Sequence, residues 1–148
     1  MKFILPEQAR IAIPFKGAVS MNNNGPAYHL YSTDKRFSQF QPFDHNYVVP
    51  ILPGKHRGGK KGHYHHHKKE VFCLLNGQVD VLLENVQTKE KEHLRLNGLS
   101  PKGFYLLGIS TGISHLIINT GKEAANLLVY SNCQPDEKDE IAYDLLTE

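Results

Sequence analysis

Residues 70–83, EVFCLLNGQVDVLL, constrain the fold more than any other stretch of the chain. Two apolar runs of strand length flank Asn76-Gly77, a dipeptide that favours the turn of a two-residue hairpin. The pattern therefore predicts two strands joined as a hairpin, with Val79, Val81 and Leu83 sharing one face of the second. Similar short runs recur as RIAIPF, NYVVPIL, GFYLLGI, SHLIIN and ANLLVY, each bounded by turn-forming residues. SHLIIN and ANLLVY, on either side of Thr120-Gly121, read as a second hairpin or short-loop pair. Pro50 inside NYVVPIL predicts an edge strand or a bulge, because proline donates no ladder hydrogen bond. Sustained helical periodicity is missing. The tail PDEKDEIAYDLL reads either as a short helix capped by Asp136, with Asp139 in its first turn, or as a docked extended arm. Short strands at regular spacing with turns between them predict an all-β sandwich or small barrel. A chain of 148 residues predicts one domain, residues 1–148, with a core of its own.

The formal charge of +2 is less informative than its distribution. Residues 55–69 carry Lys55, Arg57, Lys60, Lys61, Lys68 and Lys69 and no acid, whereas Asp136, Glu137, Asp139, Glu140, Asp144 and Glu148 crowd the tail. A basic loop beside a cleft attracts a phosphate or diphosphate; the alternative is a solvated loop. Basic residues are not interleaved with stacking aromatics, so no nucleic-acid partner is expected. No apolar run approaches a membrane span, and MKFILPEQARIAIP is too soon interrupted by proline to be a signal peptide. A cytoplasmic protein with no membrane partner is the expectation. Cys73 lies in an apolar run and Cys133 far from it, so Cys73 reads as a buried free thiol.

The polar centre of the chain is HYHHHKKE, starting at His63. On a strand, His63 and His65 project from one face, while Tyr64 and His66 point away. His67 joins the first face only if the strand continues. A bend through residues 66–69 would return Glu70 over the two rings, and His115 on an antiparallel neighbour would oppose them. Three imidazoles and a carboxylate form a nitrogen and oxygen set that suits Zn²⁺, Fe²⁺, Mn²⁺, Ni²⁺ or Co²⁺. Residue types alone also allow a solvated histidine loop with His115 as a satisfied core residue.

His63-x-His65, four residues, Glu70, six residues and Gly77 resembles the first motif of the cupin superfamily; Gly112, two residues, His115, three residues and Asn119 resembles the second. The resemblance implies a double-stranded β-helix, or jelly-roll barrel, with His63, His65, Glu70 and His115 as ligands of a divalent metal. Ser110 stands where the second motif usually has proline, and Gly58 lies one position nearer His63 than the glycine that opens the first. More narrowly, GHYHHHKKEVFCLLNGQVDVLL looks like the cupins of nucleotide-sugar metabolism: the sugar epimerases, the 3,4-ketoisomerases and the cupin domain of capsule-polysaccharide enzymes. Their Arg-Gly pair before the first histidine is replaced here by Lys60-Lys61-Gly62.

That likeness implies an isomerase or epimerase acting on a nucleoside-diphosphate 4-keto-6-deoxyhexose. His63 or His65 would be the base in a metal-free version, Tyr130 or Tyr143 the acid, and Arg57 or Lys60 the diphosphate contact. With metal bound, the ligating nitrogens cannot abstract a proton, and the base would be His67, an unligated Glu70 or a metal-bound hydroxide. An Fe²⁺-dependent small-molecule dioxygenase and a non-catalytic ligand-binding cupin are the alternatives. The likeness also implies a homodimer, with residues 1–20 as an arm exchanged between subunits. The aromatic stretch holding Tyr28, Tyr31, Phe37, Phe40, Phe43 and Tyr47 would either stack a base at the barrel mouth or pack the core.

Overall fold

The computed structural model describes residues 12–14, 19–28, 38, 40–101 and 104–147. The strands are β1 (Ala12–Pro14), β2 (Val19–Asn22), β3 (Gly25–Tyr28), β4 (His45–Ile51), β5 (His56–Arg57), β6 (His63–His65) and β7 (Glu70–Asn76). They continue as β8 (Gln78–Asn85), β9 (Lys91–Asn97), β10 (Tyr105–Ile109), β11 (Ile113–Ile118), β12 (Ala125–Ser131) and β13 (Glu140–Ala142). One sheet runs β1-β10-β7-β12-β4 and a second runs β13-β6-β11-β8-β9, with β5 also on β11. β2 and β3 form a separate pair, and every pairing is antiparallel. The all-β expectation is met.

The expected hairpin at Asn76-Gly77 is not formed. β7 belongs to the first sheet and β8 to the second, so the chain crosses between sheets at Gly77. The type I′ turn that Asn-Gly favours needs positive φ at both central residues, and here Gly77 alone has it, at +84°. Both edges of β7 are already taken, by β10 and β12, and both edges of β8 by β11 and β9. The second expected pair fails likewise: β11 and β12 lie in different sheets. β8 instead forms its hairpin with β9, with Glu84 opposite Lys91.

This crossing explains the burial pattern. Phe72 and Leu74 of β7 point between the sheets and join Val79, Val81, Leu83, Leu94, Ile113, Ile117, Leu127 and Val129 in the main core. Val71 and Cys73 point to the other face, into a second cluster with Phe40, Phe104 and Leu106. A strand covered on both faces must be apolar at every position, hence the unbroken VFCLL. Full burial of each such side chain contributes about 1.5–3 kcal/mol.

The described part of the aromatic stretch packs against the two cores. Phe40 is fully buried, Tyr28 meets Phe104 edge-on at 6.0 Å, and Phe43 packs on Tyr130 at 5.2 Å. Tyr47 instead points between the sheets; Tyr31 and Phe37 lie outside the described residues. Pro50 sits on β4, the sheet edge, where a missing donor costs nothing. Both readings of the tail hold in part. Asp136 caps a 3-10 turn, Glu137–Asp139, by accepting from the Lys138 amide at 3.0 Å, and β13 then docks on β6 as an extended arm. Cys73 is a buried free thiol, with burial pushing it up to about 12. Of the predicted N-terminal arm, residues 12–14 pair with β10, whereas residues 1–11 and 15–18 lie outside the described residues. No helix among the described residues is long and apolar enough to cross a membrane.

Candidate metal centre

β6 and β11 are antiparallel neighbours with His63 directly opposite His115. Opposed residues share a face, and His65, two positions on, shares it too. The His63 ring lies 4.8 Å from that of His65 and 4.8 Å from that of His115, and the latter two lie 5.5 Å apart. One nitrogen from each falls within 4.8 Å of the other two. Gly58, next to β5, lies against the His115 carbonyl with φ at +114°, so a side chain there would push into the strand that carries the ligand.

Glu70 reaches the cluster from the opposite sheet. Its Oε1 lies 3.2 Å from His65 Nε2 and 3.4 Å from His115 Nε2. The chain passes from β6 to β7 in four residues because Asp139 holds the bend. Asp139 Oδ1 accepts from the amides of His66 and His67, and Oδ2 from that of Lys68, all at 2.9 Å. Asn132 Oδ1 accepts from the Lys69 amide at 2.9 Å and completes the turn.

The backbone fixes the tautomers. His65 Nδ1 lies 3.2 Å from the Asp139 carbonyl oxygen, and His115 Nδ1 lies 3.2 Å from that of Ile113. A carbonyl only accepts, so both Nδ1 atoms donate and both Nε2 atoms present lone pairs. Those lone pairs face Glu70 Oε1, a third acceptor. His65 Nε2 and Glu70 Oε1 are buried without a hydrogen-bond partner. Three converging acceptors are satisfied by a proton or a metal ion between them, and imidazoles oriented through backbone carbonyls are how metal-binding histidines are usually held. Burial, followed by the charges that His115 and His65 would carry, lowers His63 from 6.5 to about 3, so its ring is neutral and available as a ligand. The residues present fit a divalent metal.

The cluster floors a cleft with about 430 Å³ of empty space, whose wall includes Tyr47, Arg57, Lys68 and Glu140. Lys68 is 5% exposed, and its Nζ lies 3.7 Å from Glu70 Oε2 and 5.7 Å from the Tyr47 ring centroid. The basic loop reading had counted Lys68 as a surface charge. Its place two residues before Glu70 was the available signal, since that spacing puts both on one face of an extended segment.

Other expected site residues fall elsewhere. Tyr130 alternates with Val129 on β12, so it points into the second cluster, against Phe43 and away from the histidines. Tyr143 lies on the outer side of the second sheet, with its ring 6.0 Å from that of Tyr64. Its hydroxyl donates to Glu84 Oε1 at 2.7 Å and accepts from Lys89 Nζ at 3.0 Å, which pins the tail. Tyr130 is not brought to the histidines, whereas Tyr143 lines a depression that His63 also lines. Arg57 lines the cleft, because β5 continues the β11 edge beyond β6. Lys60 lines an adjoining depression that shares His63 and Glu140 with the cleft. His66 and His67 are exposed, and His66 packs on Tyr64 at 5.5 Å. Accordingly, His65→Ala will weaken metal binding at least about tenfold, whereas His66→Ala will leave it unchanged. Titration of the metal-free variants checks this; equal losses would mean that the register is wrong.

An inward-facing histidine cluster between two antiparallel sheets, reached by a glutamate from the facing sheet, is the arrangement that the cupin resemblance implies. The chain belongs to the polysaccharide biosynthesis C-terminal domain family, whose model matches residues 41–142. No curated protein matches it. Solved structures of the same fold include the TDP-quinovose 3,4-ketoisomerase from Campylobacter jejuni, at 21% identity over 90% of this chain and 92% of that one, with a TM-score of 0.70. A mutant of the 3,4-ketoisomerase from Thermoanaerobacterium thermosaccharolyticum, in complex with TDP-4-keto-6-deoxyglucose, aligns at 21% identity over 90% and 86%, with a TM-score of 0.68. A dTDP sugar isomerase from Desulfovibrio desulfuricans aligns at 17% identity over 98% and 90%, with a TM-score of 0.74. At these identities the likeness is one of fold.

Proposed function

We propose that this protein is a metal-dependent isomerase or epimerase acting on a nucleoside-diphosphate 4-keto-6-deoxyhexose, built on a closed double-stranded β-helix. The observation that carries the reading is the convergence of His65 Nε2, His115 Nε2 and Glu70 Oε1, with His63 beside them, at the floor of a cleft whose wall includes Arg57 and Lys68. Fold likeness to sugar ketoisomerases supports the substrate class.

In this reading His63, His65, Glu70 and His115 hold Zn²⁺, Fe²⁺, Mn²⁺ or Ni²⁺, which when bound supplies a Lewis acid for a ketone oxygen. The protein's own residues do the rest. Nδ1 of His65 and of His115 stays protonated on a backbone carbonyl, which keeps the opposite nitrogen aimed at the cation. Phe72, Leu127 and Val129 give the cleft an apolar lining that excludes water around the reacting carbons. Arg57, with Lys60 in the adjoining depression, meets the diphosphate. The protein works as a homodimer, with residues 1–20 as the exchanged arm.

The test uses protein purified without an affinity tag, loaded with each divalent metal and incubated with TDP-4-keto-6-deoxyglucose in D₂O. Deuterium will enter the carbon beside the ketone, and an isomeric keto sugar will accumulate. Metal-loaded protein that gives neither exchange nor a thermal shift with the sugar nucleotide would overturn the reading.

A further inference from the structure

The proposed chemistry needs a proton acceptor and a donor for the oxygen that becomes negative, and the histidines can be neither while they hold a cation. This inference rests on the isomerase reading above. We propose that Glu140 takes and returns the substrate's carbon-bound proton, and that the Lys68 ammonium donates to the developing enolate oxygen.

Register supports Glu140. It lies directly opposite His65 in the β13–β6 pair, so its side chain projects to the ligand face. Among the described residues lining the cleft, it is the carboxylate outside the histidine cluster. It is exposed at the rim, where a substrate enters, whereas Glu70 is buried and faces two imidazoles.

Lys68 is argued from its cost. A buried ammonium loses its hydration, and a methionine would fill the same space without that loss. The 3.7 Å separation from Glu70 Oε2 is an ion pair and leaves donors for a ligand. Its backbone is clamped by Asp139 through the 2.9 Å amide bond, so the charge is held in place before substrate arrives. Donors fixed where charge develops are worth more than mobile ones.

The step balances. The C–H bond beside the ketone breaks, and its proton goes to a Glu140 carboxylate oxygen. The electron pair left on carbon forms the C–C π bond, and the carbonyl pair moves onto oxygen, facing Lys68. Return of the proton to the same carbon regenerates the substrate; epimerisation would need a second acid on the opposite face. Return to the former ketone carbon, with the neighbouring hydroxyl proton passing to the former ketone oxygen, gives the 3-keto isomer. No external oxidant or reductant is needed.

The full-length, metal-loaded protein is compared with Glu140→Gln and Lys68→Met for metal content, unfolding temperature, deuterium uptake and kcat against KM, with TDP-4-keto-6-deoxyglucose as substrate. Glu140→Gln will slow deuterium uptake about 10²–10³-fold, and Lys68→Met will lower kcat about 10²-fold with a smaller change in KM. Both will keep the wild-type metal content and fold. A variant that exchanges at the wild-type rate overturns its half of the proposal. Loss of metal from Lys68→Met would mean that Lys68 serves only Glu70, and that half falls. If wild-type protein binds metal but exchanges nothing, the isomerase reading itself fails and this assignment with it. Active wild type with unimpaired variants overturns the assignment alone.

Discussion

Replacing Glu70 by alanine will lower the stability of the metal-free protein by about 3–5 kcal/mol, whereas glutamine, which keeps an acceptor for Lys68 but not its anion, will cost about half as much. Both variants will lose the thermal shift that a divalent metal gives the wild type. The two effects separate because the two carboxylate oxygens have different neighbours. Oε2 is the counter-ion of Lys68, a lysine 5% exposed, at 3.7 Å. Alanine leaves that ammonium buried without an anion, the costly way to break a pair. Oε1 faces the Nε2 lone pairs of His65 and His115 at 3.2 and 3.4 Å. In glutamine an amide N–H can take the place of that oxygen and donate to a ring, while the amide carbonyl still accepts from Lys68. Acceptor against acceptor becomes donor against acceptor, so the metal-free site is satisfied just as it stops being a metal site. Burial pushes the Glu70 carboxyl up, but hydrogen bonds donated by His115 and His65 when a ring carries a proton on Nε2, together with the Lys68 charge, hold it well below the usual range, so the native residue is an anion suited to a proton or a metal ion at that point. Denaturant unfolding with and without chelator measures both effects. Glutamine as damaging as alanine, or a glutamine variant that keeps the metal shift, would refute the account.

The parts of this site that could be read from the sequence are those set by short-range geometry. His63 and His65 share a face because strands alternate, and the distances along the chain to Glu70 and His115 fit the cupin pattern. Strand partners were less legible. Asn76-Gly77 is a local signal for a turn, and a turn is there, but whether it closes a hairpin depends on which edges of β7 and β8 are already taken. Edge occupancy is decided by strands far along the chain. The same distance hides Asp139, which lies 71 to 73 residues from the amides it accepts from. In sequence it is one acid in an acidic tail. The placement of Tyr130 and Tyr143 was not legible for a simpler reason. Their faces follow from strand alternation only once the inward face of β12 and the path of the tail are known.

Asp139 carries the last prediction, because it ties the tail to the metal centre without being a ligand. Asp139→Asn will destabilise the fold by about 2 kcal/mol and weaken metal binding about tenfold. The carboxylate accepts three amides with two oxygens. Asparagine keeps one acceptor oxygen and turns an NH₂ group toward at least one of those amides, donor against donor. The bend at residues 66–68 then loosens, and with it the Asp139 carbonyl that orients His65 Nδ1 at 3.2 Å. The pH dependence identifies the cause. Burial pushes the Asp139 carboxyl up, but the amides of Lys68, His66 and His67 outweigh it and hold it below the usual aspartate range. A pKa lowered by folding contributes stability that is complete above the unfolded value, near about 3.9 for aspartate, and is lost as pH falls through the folded value. The stability gap between wild type and Asp139→Asn will therefore be flat above about pH 5 and shrink as the pH drops below about 4. Chemical denaturation of the metal-free proteins across that range provides the measurement. A gap that stays constant into acid would show that the aspartate's charge contributes nothing, leaving the bend to be held by its neighbours.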